Sequence, residues 1–353
     1  MQEHQFLKIR QILKDWYEQN KRDLPWRNTK DAYKIWISEI ILQQTRVNQG
    51  YNYYLRFIER FPNVKSLAEA EEQEVLKHWQ GLGYYSRARN LHKTAKSVIS
   101  EFNGKFPLHY NDILSLSGIG EYTAAAISSF AYNQPYAAVD GNIFRVLSRL
   151  VANETPIDTS KGKKEFTGIA KKLLDKNNPG THNQAIMEFG AMYCTPKNPD
   201  CENCPLKEFC KAYKLNVVEL LPIKQGKTKV TNRYFNYFFI KKNEFTYLQK
   251  RTAKDIWLNL YELPLIETDS IMTLSELTQT DDFKSLFKDC NFIIEKTSRP
   301  YRHVLSHRII HAVFYTININ VENKRLRRFE RALINELERY PISRLTELFL
   351  EGE

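Results

Sequence analysis

Long apolar runs are missing from this 353-residue chain. No stretch approaches the roughly 18 uncharged apolar residues that a membrane-spanning helix needs, so none is expected. The opening MQEHQFLKIR is polar and has no apolar core, so no secretory leader is expected either, and the chain reads as a cytoplasmic globular protein. No block repeats at a fixed period, which argues against a repeat array. His303, His307 and His311 recur every four residues, but no Glu stands in an H-E-x-x-H arrangement, and the segment looks like turn and strand rather than a metal-binding helix.

Cysteine is also scarce. There are five, and Cys290 stands apart from Cys194, Cys201, Cys204 and Cys210, which form a C-x6-C-x2-C-x5-C loop. A reducing interior disfavours disulfides. Four thiolates in so short a loop can surround a metal centre, either a [4Fe–4S] cluster or a structural zinc. Zinc sites usually pair two C-x2-C knuckles, and here only Cys201 and Cys204 make one.

What the chain has in excess is positive charge. Lys and Arg number 52 against 41 Asp and Glu, a formal net charge of +11. Such a surplus suits a polyanionic partner, most often nucleic acid, although a merely basic protein has the same composition. Hydrophobic residues make up 42%, enough for real cores, and the length suits two or three domains.

Residues 1–214 read as mainly α. Apolar positions recur every three to four residues in Phe6–Tyr17, Tyr33–Leu42, Val64–Ala70, Glu74–Trp79, Ala88–Ile99, Thr123–Ala131 and Ile143–Leu150, and Pro25, Pro62, Pro107 and Pro135 punctuate the blocks. Residues 215–232, with Pro222, Lys224, Lys227 and Lys229, read as a basic linker. Residues 233–353 read as a smaller α+β domain. Strands are expected at Tyr234–Ile240, Thr246–Gln249 and Ile309–Ile319, and helices near Leu274–Thr278 and Arg328–Arg339.

Several short motifs carry chemistry. Leu116-Ser117-Gly118-Ile119-Gly120 allows a tight hairpin between helices, with backbone N–H groups free for a phosphate at the start of the second. A plain helix–helix turn is the alternative. Asp140, downstream, can cap a helix beginning near Asn142. Glu39 lies mid-helix among apolar neighbours. As a lone Glu it is expected on a solvated face, and only if buried would its raised pKa make it a general acid. Gly81-Leu82-Gly83-Tyr84-Tyr85, followed by Arg87 and Arg89, offers an exposed tyrosine pair beside arginines, suited to stacking on bases; core tyrosines are the alternative.

Together, in this order, these pieces resemble the helix-hairpin-helix DNA glycosylases and, within them, the MutY family of adenine DNA glycosylases. The likeness runs over nearly the whole chain: Leu24-Pro25-Trp26-Arg27, Ser38-Glu39 through Thr45, Gly81 through Asn90, Val139 through Val146, and Asn183-Gln184-Ala185 through Cys194. It implies a [4Fe–4S] cluster on the four cysteines. It implies that Glu39 protonates adenine at N7, that Asp140 stabilises the cationic sugar and that Asn142 orients Asp140 and water. It places Arg27, Trp26 and Glu188 in the adenine pocket, and Gln44 and Tyr84 beside the opposing purine.

Where the related endonuclease III family has a Schiff-base lysine, Tyr122 stands. The resemblance therefore implies a monofunctional glycosylase; an endonuclease III-like lyase acting on pyrimidine lesions is the alternative. The C-terminal part resembles the family's Nudix-like domain without the R-E-x-x-E-E helix of active hydrolases. Ser306 and His307 match its 8-oxoguanine-recognition pair, and Trp257, Tyr261 and Pro264 fit its pattern. The implied partner is duplex DNA with adenine opposite 8-oxoguanine or guanine, bound by a monomer with no membrane contact. Ser117, Glu121 and Leu305 depart from the usual proline, basic and aromatic residues of the family.

Overall fold

The computed structural model describes residues 2–226 and 229–352. Lys227, assigned above to the linker, lies outside them. Among the described residues twelve α-helices come first: α1 (Glu3–Asn20), α2 (Ala32–Leu42), α3 (Val47–Arg60), α4 (Val64–Glu69), α5 (Glu72–His78), α6 (Ser86–Glu101), α7 (Tyr110–Ser115), α8 (Glu121–Tyr132), α9 (Gly141–Val151), α10 (Ser160–Leu173), α11 (Pro179–Met192) and α12 (Lys211–Lys214). The strands follow: β1 (Thr231–Lys241), β2 (Phe245–Lys250), β3 (Tyr261–Glu262), β4 (Leu265–Thr268), β5 (Phe292–Thr297), β6 (Tyr301–Val304), β7 (Arg308–Ile319) and β8 (Glu330–Leu333). Among them lie α13 (Leu274–Gln279), α14 (Asp281–Leu286) and a final α15 (Arg344–Leu350).

Among the described residues, 2–69 and 90–226 form one unit, and 70–89 with 229–352 form a second. Helical periodicity alone groups residues 70–89 with the helical part, because a helical period says nothing about what a helix packs against. In the structure the segment is bound by the second unit. Glu72 accepts from Asn259 Nδ2 at 2.5 Å, Gln80 donates to Glu347 at 2.7 Å, and Arg89 donates to the Leu258 carbonyl at 2.8 Å.

The first unit is helical because its apolar residues form stripes of helical period. Phe6, Ile9, Leu13 and Tyr17 of α1 share a core with Ile143, Val146, Leu147 and Leu150 of α9, Phe166 and Leu173 of α10, and Ile186 and Phe189 of α11. Helix α2 differs: from Ala32 to Ile41 every residue but Lys34 is buried, against α8 and α3. The run Ala124-Ala125-Ala126 in α8 is buried as well.

The expected linker is partly a strap on this unit. The Ile157 amide donates to the Ile223 carbonyl at 3.0 Å, and Asp158 accepts from the amides of Gln225 (3.0 Å) and Gly226 (2.8 Å).

The second unit is a mixed sheet in the order β4-β1-β7-β5, with β6 also paired to β7 and β1 parallel to β7, and a smaller sheet β3-β2-β8. Aromatic residues fill it, Tyr237, Phe314 and Phe349 in one core and Phe238, Phe283 and Tyr315 in another. The helix expected over Arg328–Arg339 is instead strand β8 followed by a 3₁₀ turn, Ile334–Arg339. Pairing of Thr246 with Ala332 in the sheet overrides the local helical preference of that stretch.

Candidate active site

A cleft of about 330 Å³ opens in the helical unit, lined among others by Trp26, Arg27, Glu39, Gln44, Tyr122, Asp140, Asn142 and Glu188. Residues more than a hundred positions apart thus converge on one concavity.

Glu39 is not on a solvated face. It is 7% exposed, because α2 is buried nearly all round. Burial pushes its carboxyl up to about 7; the neighbouring Asp140 adds to this, while a hydrogen bond from Tyr122 and the charge of Arg27 oppose it. Tyr122 Oη donates to Glu39 Oε2 at 2.7 Å. A carboxyl poised near neutrality can hand over a proton in a reaction run at neutral pH.

Asp140 caps α9, as expected, its Oδ1 accepting from the Ile143 amide at 2.8 Å. Its other oxygen accepts from Asn142 Nδ2 at 2.8 Å. Burial raises its pKa, opposed by these hydrogen bonds. Asn142 is fixed in turn: its Oδ1 accepts from Arg145 at 2.9 Å, and a Cβ on Gly190 of α11 would lie 2.8 Å from the Asn142 Cβ. A glycine at 190 is therefore what lets α11 come this close to Asn142.

Glu188 is 1% exposed and held between two guanidiniums. Arg22 donates at 2.7 and 2.6 Å, and Arg27 at 2.9 and 2.6 Å. Although burial opposes ionisation, these ion pairs bring the carboxyl down to about 2. Trp26 is buried edge-on to Tyr54, 5.2 Å between centroids. Among the lining residues that the sequence motifs did not single out as site residues are Arg22 and Gln184, which accepts from Tyr17 Oη at 3.0 Å. Arg22 lies only two residues before Leu24-Pro25-Trp26-Arg27, and Gln184 one turn before Glu188 on α11, so helical spacing could have found Gln184.

Gln44 follows α2 exposed, with φ +56°. Tyr84, 45% exposed, has φ +45°. Both are unusual backbone states for residues with a Cβ, and such states cluster at functional tips. The tyrosines do not make an exposed pair, since Tyr85 is 5% exposed and its hydroxyl donates to the Ile342 carbonyl. Arg87, expected to face DNA, is also buried. Its guanidinium covers Trp79 at 5.1 Å and donates to the carbonyls of Leu82 and Gly83 at 3.1 and 3.2 Å, so it braces the turn that bears Tyr84.

The hairpin glycines lie between α7 and α8. Gly118 has φ +77°, and a Cβ there would come 2.7 Å from Asn90. Gly120 is the N-cap of α8 and supplies no side-chain cap, which leaves the first amides of the helix available to an anion.

In the second unit, Ser306 and His307 are exposed at the tip of the β6–β7 hairpin, closed by the Leu305 amide donating to the Arg308 carbonyl at 2.8 Å. The Tyr84 and Ser306 hydroxyls are hydrogen-bonded to each other.

Cys194, Cys201, Cys204 and Cys210 are free thiols, all half-buried around one small pocket, with Arg149 Nη1 3.4 Å from Cys194 Sγ. Among the described residues no three His, Cys, Asp or Glu side chains converge closely enough to hold a single metal ion. A [4Fe–4S] cluster takes one cysteine at each of its four irons, and these four thiols around one pocket are that donor set.

The model of the HhH-GPD superfamily of base excision DNA repair proteins matches residues 37–173, that of the iron-sulfur binding domain of endonuclease III matches residues 194–210, and that of the NUDIX domain matches residues 236–352. The adenine DNA glycosylase of Buchnera aphidicola subsp. Schizaphis graminum is 35% identical over 314 residues, spanning 88% of this chain and 87% of that protein. This chain belongs to the adenine DNA glycosylase family. The human adenine DNA glycosylase is 42% identical over 213 residues, which cover 58% of this chain and 39% of its own. Among solved structures, a thermostable thymine-DNA glycosylase superposes with a TM-score of 0.56 at 28% identity, covering 60% of this chain and 98% of its own. The family membership makes the protein a DNA-binding enzyme that acts on N-glycosyl bonds, with a [4Fe–4S] cluster as cofactor.

Proposed function

We propose that this glycosylase excises adenine mispaired with 8-oxoguanine or guanine. The observation that carries the reading is the pair of carboxyls lining one cleft, Glu39 buried and held near neutrality and Asp140, half-buried, tied to Asn142 and a helix amide. In this reading adenine leaves the duplex and enters the cleft beside Trp26, Arg27 and Gln184. Glu39 gives its proton to N7, the bond from C1′ to N9 breaks, and its electron pair leaves with the base. The sugar becomes cationic, and the Asp140 carboxylate stabilises it. Water, oriented by Asn142, adds to C1′ and loses a proton to a carboxylate, leaving free adenine and an abasic site. Glu188 acts from behind by holding Arg22 and Arg27.

Tyr122 supplies no amine, and no lysine is among the described residues that line the cleft, so the enzyme is monofunctional rather than a lyase of the endonuclease III kind. The amides after Gly118 and Gly120 bind a backbone phosphate, and Gln44 and Tyr84 insert beside the opposing purine. Ser306 and His307 read 8-oxoguanine. Cys194, Cys201, Cys204 and Cys210 ligate the cluster, which when bound cross-links their loop. We further propose residues 1–214, 215–232 and 233–353 as the functional divisions along the sequence, with 70–89 packed on the last of them, a monomer in solution, and a cytoplasmic location on the nucleoid if the source is bacterial.

The test is single-turnover excision on duplexes with adenine opposite 8-oxoguanine, guanine or thymine, followed by alkali. Alkali-dependent cleavage at the adenine, fastest opposite 8-oxoguanine, is the expected result. Strand scission without alkali, trapped by borohydride, would move the assignment to a lyase.

A further inference from the structure

The two exposed tips of the second unit, Tyr84 and the Ser306–His307 turn, rest on one loop, residues 251–260. Asp255 lies at its centre. Its Oδ2 accepts from Arg233 Nη1 of β1 at 2.5 Å and from Arg251 Nη2 at 3.1 Å. Its Oδ1 accepts from Arg308, the residue that follows Ser306-His307 and opens β7. The other arms of Arg233 and Arg251 are already engaged. Arg233 pairs with Glu267 at 2.6 Å, and Arg251 pairs with Glu262 at 2.7 Å and donates to the Ile256 carbonyl at 3.0 Å. Asp255 is thus the carboxylate that joins the hairpin to a charge network spread over β1, the loop and β3.

The same loop grips the rest of the apparatus. Trp257, with φ +57°, lies 5.9 Å from His303 on β6, the other strand of the hairpin. Asn259, with φ +66°, donates to Glu72, and the Leu258 carbonyl accepts from Arg89, so the segment carrying Tyr84 is held at both ends. Ser306 and His307 are exposed and gain no rigidity from packing of their own. Beyond the bond between the Ser306 and Tyr84 hydroxyls and the bond from the Thr231 amide to the His307 carbonyl at 3.0 Å, their position depends on what holds Leu305 and Arg308, the first packed on the core and the second tied to Asp255.

We propose that Asp255 is a positioning residue for the Ser306–His307 turn and thereby sets the enzyme's preference for 8-oxoguanine over guanine. The inference rests on the reading of that turn given above. Telling two purines apart by a few hydrogen bonds requires donors and acceptors held to a fraction of an ångström. A turn released from Asp255 keeps its residues and loses their register. Excision opposite guanine, which does not use those contacts, is unaffected. Although burial opposes ionisation, hydrogen bonds from Arg233, the Ile256 amide and Arg308 hold the Asp255 carboxyl down to about 2, so the bracket is in place throughout the neutral range.

The experiment measures single-turnover excision of adenine opposite 8-oxoguanine and opposite guanine, with thermal melting, for the full-length protein and its Asp255→Asn, Asp255→Glu and Ser306→Ala/His307→Ala variants. Asp255→Asn should slow the 8-oxoguanine reaction by about tenfold, the scale of one charge-assisted hydrogen bond, and leave the guanine reaction within about twofold. Asp255→Glu should recover part of the loss. A parallel fall of both rates would show a merely structural role and overturn the proposal, as would an unchanged ratio. If Asp255→Asn does not fold, Arg308→Gln, which cuts only the hairpin's arm, takes its place and should give the same change in ratio. If the double variant keeps the wild-type ratio, the recognition reading itself fails. If it loses the ratio and Asp255→Asn does not, only the present inference fails.

Discussion

Tyr122 donates a hydrogen bond to Glu39 at 2.7 Å in the wall of the cleft that both residues line. The bond favours the ionised carboxylate, while burial, the larger influence, favours the acid. The balance near pH 7 decides how much of the enzyme is ready to donate a proton.

Two consequences follow for the pH profile. The rate should fall as pH rises through about 7, because the acid form of Glu39 is lost. Tyr122→Phe removes one of the two influences that lower the Glu39 pKa, so the alkaline limb should move to higher pH. Glu39→Gln should abolish excision and leave duplex binding largely intact. Single-turnover rates across pH, with binding measured by gel shift or anisotropy, decide the matter; an unmoved limb in Tyr122→Phe would refute the coupling.

Glu39 also ties stability to pH. Its folded pKa, about 7, lies above the unfolded value of 4.5. The stability this provides is complete below the unfolded value and is lost as pH rises through the folded one. Ionisation therefore burdens the folded state, and Glu39→Gln should melt higher than wild type in alkali, by up to about 3 kcal/mol at full ionisation. Melting curves at about pH 6 and pH 9 test this; equal differences at both would rule it out.

His182 carries the opposite dependence. It is 7% exposed in the helical unit, and burial depresses its pKa from 6.5 to about 4. The stability of the neutral ring is present above 6.5 and lost as pH falls through 4. The protein should lose stability across that window, and His182→Leu should flatten the slope. Urea titrations at several acidic pH values read it directly.

Glu188→Gln strips the charge partner from two guanidiniums at once. Leaving a buried ionic group uncompensated costs about 3–5 kcal/mol when the site cannot relax. Arg22 and Arg27 are partly exposed, so a loss nearer half of that is expected, with weaker retention of adenine in the cleft. A raised KM with a modest change in kcat would mark the positioning role; a collapse of kcat alone would point to direct chemistry.

Much of this site was legible because its chemistry is local. Asp140 sits directly before the helix it caps, the two glycines sit in their turn, and the four cysteines share one loop. Glu39 was harder to read. A lone acid in a helix normally marks the solvent side, and only tertiary packing reveals that α2 has almost none. Arg87 misled for the converse reason: charge beside glycines suggests a surface, whereas Trp79 and two carbonyls enclose it. The strand at Glu330–Leu333 depends on pairing with β2, some eighty residues earlier, which no local window contains.

Residues 70–89 belong to the second unit by packing and to the first part of the chain by sequence. A protein cut after the cysteine loop would keep Tyr84 but lose Ser306, Leu258, Asn259, Ile342 and Glu347, the partners that hold its segment. Such a truncation deletes one proposed reader of the mispair and unmoors the other. Any loss of activity it causes is the sum of two injuries, and only point substitutions can separate them.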